Sequence, residues 1–385
     1  MNRVGAIVLG LGGMGSSALS ALARRGIDVL GIDQEPAPHV RGSSHGGSRI
    51  IRRAYFEHAD YVPLLDASFE GWRSLEHASG TTCFHRTGVL LVGSERSSII
   101  EASRASAGVH GVPVELLDPG RMRARFPQFS SDREWSGLFE PEAGFIDPEA
   151  GVRAHLEIAR RAGASIRRPI KVLSVDGDDH EAVVRTEREE IRTNRLVLAA
   201  GAWTASLLGD HLRVSLVPQR KAMVWFKPVE PRTCSSPEMP AWLIDDGDAA
   251  GCYYGVPTWP GQPAPIGVKV GFHGAGTVVD PDASHEIAPE VVSRFAEDLA
   301  IRLPGVLERP LAAQACLYTM SPDEHFVIDR LPGRGSMVVV AGFSGHGYKF
   351  APVVGEIAAD LAIDGSTPRS AGFLGLDRFG DVRSG

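Results

Sequence analysis

The sequence predicts a mixed α/β (α+β overall) fold in which a strand–helix domain is interrupted by a second, mostly antiparallel one. Three observations carry this. "VGAIVLGLGGMGSSALSALARRGIDVLGID" (4–33) reads as strand, glycine turn, helix, strand. "SMVVVAGFSGHGYKFAPVVGEIAADLAI" (336–363) shows strand, glycine-rich loop, helix near the other end. Between them, above all from 218 to about 316, apolar strands alternate with Pro/Gly/Asp turns. Strand–helix alternation at both ends with β-rich material inside is what a parallel-sheet domain with an insertion would produce.

The elements follow in order. "VGAIVL" (4–9) is a short apolar strand broken by "GLGGMG" (10–15), and the Ala/Leu spacing of "SSALSALARR" gives a helix stopped at Gly26. "IDVLGID" (27–33) is the next strand and ends on Asp33. A helix covers 61–78. "TGVLLVGS" (87–94) opens a texture of short strands and polar turns, and 149–163 returns to an amphipathic helix. "RLVLAAGAWTASLL" (195–208) is a buried strand, a small-residue turn and a helix start. "KAMVWF", "CYYGVP" and "GVKVGFH" supply strands of the inserted region.

Bulk properties exclude several classes. At 385 residues the chain can bury two large, joined cores. A net charge of −7 gives no general pull on nucleic acid or anionic membrane, so the basic "RIIRRAY" (49–55) needs a local explanation. The opening residues lack the charged start and cleavage site of a signal peptide, and no apolar run reaches membrane-spanning length. Cys83, Cys234, Cys252 and Cys316 lie far apart, with no metal-ligand spacing. A cytoplasmic protein with reduced thiols, no metal, no nucleic-acid partner and no membrane partner is expected.

Gly10-x-Gly12-x-x-Gly15 follows a strand and opens a helix, and Asp33 closes the next strand. Glycines there permit a tight turn, close approach of backbone to a pyrophosphate, and helix–strand packing. The helix N-terminus favours the anion, and Asp33 is placed for ribose hydroxyls. A glycine-rich structural turn with Asp33 as a strand-end cap is the plain alternative. The motif alone does not separate NAD from FAD. The late "VVVAGFSGHGYKF" argues for FAD, because its loop N–H groups could reach the carbonyl oxygens of an isoalloxazine, and "LAAGAW" (198–203) supplies another close backbone passage at Gly201. Cys316, in "ACLYTMSPDEHFVID" (315–329), is open to several readings: disulfide, metal ligand, catalytic thiol, core packing or covalent cofactor tether.

Over essentially its whole length the chain resembles the monomeric sarcosine oxidase and N-methyltryptophan oxidase family of flavoproteins. The matching words are GLGGMG (10–15), SSHGGSRIIRRAY (43–55), YVPL (61–64), LFEPEAGF (138–145), AAGAW (199–203), CYYG (252–255), VKVGFH (268–273), SPDEHFVID (321–329) and GFSGHGYKF (342–350). The resemblance implies a glutathione-reductase-type FAD-binding Rossmann domain (1–82, 145–217 and 317–385) joined to an antiparallel substrate-binding domain (83–144 and 218–316). It implies that Cys316 carries FAD through a thioether, and that Arg52 and Lys349 clamp a substrate carboxylate. Guanidinium and ammonium suit that task, and two cations disfavour a substrate ammonium.

The resemblance further implies that Lys269 lies over the flavin and stabilises charge on reduced oxygen. A lysine inside an apolar strand is costly to bury unless paired or functional, although it could also occupy the exposed face of an edge strand. His45 and Arg49 match residues beside the flavin. Tyr254, Tyr318 and His273 match pocket-lining positions. Gly10, Gly12, Gly13, Met14, Gly15, Asp33, Ser44, His45, Arg49, Gly201, Cys316, Gly345, His346, Gly347 and Lys349 form the implied cofactor site. Ser48 stands where sarcosine-oxidising members carry threonine, and "LIDDGDAAGCY" after Trp242 is acidic and longer than the family segment, which leaves side-chain preference open.

The implied activity is oxidation of an N-methyl (secondary) amino acid such as sarcosine or N-methyl-L-tryptophan. The imine hydrolyses and dioxygen becomes hydrogen peroxide, on a monomeric enzyme. Oxidation of a cyclic secondary amino acid or a biosynthetic imine precursor, and a dehydrogenase with a non-oxygen acceptor, are the rival readings.

Overall fold

A computed structural model describes residues 2–94, 97–129, 133–247 and 251–380. Its first body is a three-layer sandwich. The central sheet has six strands in the order Ser165–Arg167, Val29–Ile32, Ala6–Leu9, Leu196–Leu198, Arg334–Ala341, Val327–Leu331. The first five run parallel and the last is antiparallel to its neighbour. Alternate residues of each strand serve opposite layers, as the period of two requires. Ala6, Val8, Val338 and Val340 pack under helices including Gly13–Arg24 and Ala351–Asp364. Ile7, Leu9, Met337 and Val339 pack on Val175, Val184 and Ile191 of a four-stranded sheet that forms the third layer. Small residues set the helix spacing: a Cβ on Gly355 would collide with Ser17.

The first helix begins where the glycine motif places it. Gly12 is its N-cap, and Gly26, at φ +76°, lies just beyond the Arg25 C-cap. Gly10 takes a left-handed φ of +86°. A Cβ on Gly15 would strike the Gly10 carbonyl oxygen, so turn and helix can pack only with glycine there.

The second body is a nine-stranded, mostly antiparallel sheet. Val217–Pro228 pairs with both Val268–Gly274 and the long Leu307–Met320. Gly251–Val256, Ala241–Asp245, Val89–Gly93, Ser136–Glu140 and Glu115–Leu117 continue it, with a parallel pair between Ala241–Asp245 and Val89–Gly93. Three helices that the strand reading of this region omits pack on it. Ser98–His110 lies over Val89, Leu91 and Leu138; Pro119–Arg125 and Pro289–Arg302 lie on the other face, near Leu90, Val92 and Trp242. A three-stranded sheet, Arg49–Ile51, Gly144–Ile146 and Phe84–His85, carries Arg49. Among the described residues, no helix is long and apolar enough to cross a membrane.

Gly15→Ala is expected to cost more than about 2 kcal/mol by overpacking the first turn against rigid backbone. A thermal melt of the variant within a degree of wild type would show that the turn can shift aside.

Candidate active site

Two cavities meet where the sheets converge. The larger, about 350 Å³, reaches from Gly10, Gly12, Gly13, Met14 and Asp33 past Ser44 and Gly201 to Arg49, Cys316, Tyr318, Gly345 and Gly347. Leu11 N–H and Glu35 N–H donate to the Asp33 carboxylate at 2.6 and 2.9 Å, which fixes it at the strand end. Ser44 Oγ accepts from Gly13 N–H at 2.8 Å and ties the 42–48 loop to the helix N-terminus. The cradle fits a dinucleotide: glycine backbone faces the space and a fixed carboxylate closes one end.

The smaller cavity, about 70 Å³, is lined by Ile50, Arg52, Phe56, Glu57, Leu243, Tyr254, Val256, His273, His346 and Lys349, with Ser48 at its edge. Arg49, Tyr318, Gly345 and Tyr348 line both cavities and form the junction. Tyr318 lies on Gly345 so closely that a Cβ there would enter its ring. Tyr254 hydrogen-bonds Tyr318 and covers Gly271 in the same way.

Lys269 is inside the protein, 1% exposed, on a strand with partners on both sides, Trp225 and Val256. The exposed edge-strand alternative is thereby excluded. Its Nζ donates to Gly46 O at 3.1 Å and Ser48 O at 2.5 Å. Burial, then the nearby Arg49 charge, pushes its pKa well below the ordinary lysine value. Arg49 donates to Ser48 O at 2.7 Å, Ser43 O at 2.8 Å and Cys316 Sγ at 3.4 Å. His45 pairs with Gln314 and Gly42 O, and burial, aided by Arg49, lowers its pKa to about 4, so it is neutral at pH 7. All four cysteines are free, Cys316 among them.

The two pocket cations are held differently. Lys349 Nζ donates to His346 O at 2.6 Å and to Tyr55 OH at 3.3 Å, and burial lowers its pKa to about 7. Arg52 donates to Ala54 O and pairs with Glu57 at 2.8 Å, its guanidinium 4.2 Å from the Phe56 ring centre. Burial would raise the Glu57 pKa, but Arg52, His346, Lys349 and His273 hold it at about 2. Tyr55 OH lies 2.7 Å from His346 Nδ1, and burial lowers the His346 pKa to about 3.

The geometry sorts the expected site residues. Gly10, Gly12, Gly13, Met14, Asp33, Ser44, Arg49, Gly201, Cys316, Gly345 and Gly347 line the larger cavity. Two expected cofactor residues, His346 and Lys349, line the smaller cavity instead, because the glycine loop turns them away from the cleft into the buried Tyr55 cluster. Gly15, His45 and Lys269 line neither; Gly15 packs behind the turn, while His45 and Lys269 are fixed behind Arg49 by backbone carbonyls. Of the acidic insertion, 248–250 lie outside the described residues. Asp245 accepts from Ser97 and Asp246 pairs with Arg302, so among the described residues of this segment Leu243 is the side chain that lines the pocket. Tyr55, Glu57, Glu149 and Tyr348 were not anticipated. Glu57, half-buried, lies five residues after Arg52 in "RRAYFE", and the opposite charges in that short span are its one signal in the sequence.

A family model described as FAD dependent oxidoreductase matches residues 6–361. Monomeric sarcosine oxidase of Streptomyces avermitilis is 38% identical over 371 residues, 96% of this chain and 96% of that protein. N-methyl-L-tryptophan oxidase of Salmonella agona is 34% identical over 94% of this chain and 95% of that protein. The solved structure of NikD, described as an unusual amino acid oxidase essential for nikkomycin biosynthesis, aligns with a TM-score of 0.85 at 25% identity. The alignment covers 97% of this chain and 98% of that one.

Lys349 makes anion binding in the smaller cavity pH-dependent with a definite sign. Its ammonium is present below a pKa of about 7 and lost above it. An anion that pairs with the charged form binds tightest on the acid side. A simple carboxylate without an amine, such as propionate, should lose affinity as pH rises through 7, approaching about tenfold per pH unit. Lys349→Met should flatten the profile. Calorimetric titration from pH 6 to 9 decides, and a constant Kd in the native protein would sink the assignment.

Proposed function

The chain belongs to the FAD dependent oxidoreductase family, and within it we propose an oxidase of a small secondary amino acid, with dioxygen as electron acceptor. The observation that carries this is the junction itself. A dinucleotide cleft opens through Arg49, Tyr318, Gly345 and Tyr348 onto a small pocket lined by Arg52, Lys349 and Glu57 together with Ile50, Phe56, Leu243 and Val256. Bound FAD would accept two electrons from the amine and deliver them to dioxygen.

The chain's own residues set the conditions. Arg52 and Lys349 receive the substrate carboxylate, with Tyr254, Tyr318 and His273 around the rest of the molecule. Their positive charge opposes an ammonium in the same pocket and so favours the neutral amine, whose lone pair is needed for oxidation. The amine loses two electrons and two protons to become an imine. Water then cleaves the imine to an aldehyde and the shortened amine. Protonated Lys269 places a positive charge beside Arg49 and the junction, where negative charge develops on dioxygen as it becomes hydrogen peroxide. A pocket of about 70 Å³ supports a substrate of sarcosine's size or a compact ring over an indole side chain.

For the cofactor we propose a thioether through Cys316, which lines the cleft with its sulfur contacted by Arg49. The expected division into an FAD-binding domain (1–82, 145–217, 317–385) and a substrate-binding domain (83–144, 218–316) is kept as part of this reading. So are a monomeric state, which the name of the Streptomyces relative carries, and a cytoplasmic setting, which suits four free cysteines.

The deciding experiment is an anaerobic screen of N-methyl and cyclic amino acids, watching the flavin absorbance, followed by peroxide yield in air. Bleaching by sarcosine or a close analogue with stoichiometric peroxide is expected. Bleaching without peroxide would move the enzyme to the dehydrogenases, and no bleaching by any secondary amino acid would end the proposal.

Two variants separate the parts. Acid-precipitated native protein should stay yellow, whereas Cys316→Ala should release its flavin; flavin that washes freely from the native protein returns Cys316 to core packing. Lys269→Met should slow reoxidation by oxygen about a hundredfold or more, as loss of one electrostatic stabiliser does. Flavin reduction by substrate should change far less, and stopped-flow traces of both half-reactions provide the comparison.

A further inference from the structure

We propose that Glu149 is a positioning residue for the dioxygen half-reaction: its carboxylate grips the amide side of the Gly46–Ser48 turn while the carbonyl side of that turn holds Lys269. The inference rests on the role for Lys269 proposed above and names the residue that keeps it in place.

The geometry is two-sided. Gly46 N–H donates to Glu149 Oε1 at 2.7 Å, and Gly47 N–H donates to Oε2 at 3.1 Å. From the other side, Gly46 O and Ser48 O accept from Lys269 Nζ. Left-handed backbone at a turn lets successive N–H groups converge on one anion, and Gly46 and Gly47 have φ of +89° and +74°. A Cβ at Gly46 would also displace the end of the Met223 side chain, 2.7 Å away, so both φ and space favour glycine there. Glu149 is itself fixed. It lies in the first turn of the helix Pro148–Arg161, whose N-cap Asp147 accepts from Ala150 N–H at 2.8 Å.

The charges agree with the geometry. Lys269 is buried and bonded to neutral carbonyls, and Arg49 nearby opposes its ionisation. The anion-forming groups acting on it are Glu149, the strongest, then Cys316, which carries no charge once in a thioether, and Asp147, while His45 on the same loop is neutral at pH 7. Glu149 therefore polarises the peptide units that hold the ammonium and supplies its principal counter-charge through them. No step of the amine half-reaction calls on this carboxylate.

Glu149→Gln, nearly isosteric, tests the proposal in the flavin-loaded enzyme. Stopped-flow reoxidation by oxygen should slow at pH values above the lysine's pKa, by about tenfold for each unit by which that pKa falls, while reduction by substrate changes little. Oxygen reduction needs the ammonium and falls as pH rises through its pKa. Removing the anion lowers that pKa, so the fall should move to lower pH. Lys269→Met/Glu149→Gln should be no slower than Lys269→Met alone.

A second readout needs no turnover. A buried lysine with a depressed pKa makes stability rise with pH between its folded and unfolded values. The Tm lost to Glu149→Gln should therefore be larger at pH 6 than at pH 10, and this pH dependence should shrink when Lys269→Met is already present. An unmoved pH profile with native reoxidation, or slowing that adds fully to that of Lys269→Met, overturns the positioning role and leaves the Lys269 reading intact. Native reoxidation in Lys269→Met alone overturns both. If Glu149→Gln does not retain flavin, Glu149→Asp keeps the charge but cannot span both N–H groups. Slower reoxidation with an unshifted pH profile then supports the proposal, and a native rate overturns it.

Discussion

One backbone carbonyl, that of Ser48, accepts hydrogen bonds from two cations: Lys269 at 2.5 Å and Arg49 at 2.7 Å. A carbonyl oxygen has two lone pairs, so both can be served, but only if the peptide is held at one angle. Lys269 comes from an inner strand of the large antiparallel sheet, and Arg49 from the small sheet beside the parallel domain. The Ser48 peptide is therefore a joint between the two bodies. Burying these charges apart from such acceptors would be costly. Cys316 and Tyr318 belong to a strand paired with Val217–Pro228, which also pairs with the Lys269 strand, so the joint fixes their distance from Arg49 as well.

The smaller pocket has a different electrostatic problem. Arg52, Lys349 and Glu57 leave about one net positive charge when the lysine is protonated, and Glu57 pairs with Arg52. A carboxylate bound there would bring the site near neutrality and compete with Glu57 for the guanidinium fork. Affinity at this site is thus a difference between two ion pairs, smaller than either alone. Such a pocket discriminates by fit around the carboxylate as much as by charge.

The cofactor cradle was legible because its chemistry is local in sequence. Glycines at 10, 12 and 15, a strand before, a helix after and Asp33 beyond lie within one strand–helix–strand unit. Lys269 was legible for a related reason: a charge within a run of buried apolar residues is anomalous by itself. Glu149 and Tyr55 were not, because nothing in "DPEAG" or "RAYF" shows that the chain brings them to a glycine turn and a histidine about 100 and 291 residues away. The helix Pro289–Arg302 is another matter. Val292, Phe295, Ala296 and Leu299 carry the helical period and Pro289 opens it, so the signal was present but overshadowed by the strands and turns around it. Ser98–His110 is rich in alanine and serine, and with few apolar residues its buried face is faint in sequence.

The two lysines show how one side-chain type serves two tasks at one junction. Both are buried, and burial lowers the pKa of each. Their acceptors differ. Lys349 bonds a tyrosine hydroxyl and one carbonyl and lines a cavity, where an anion would raise its pKa and draw a proton to it. Lys269 is enclosed by two carbonyls of a turn that Glu149 grips from behind, and it lines neither cavity. The pKa of Lys269 is accordingly set by the fold, whereas that of Lys349 is open to whatever enters the cavity. The acceptors of Lys269 belong to the fold itself, whereas Lys349 faces a cavity whose occupant can change.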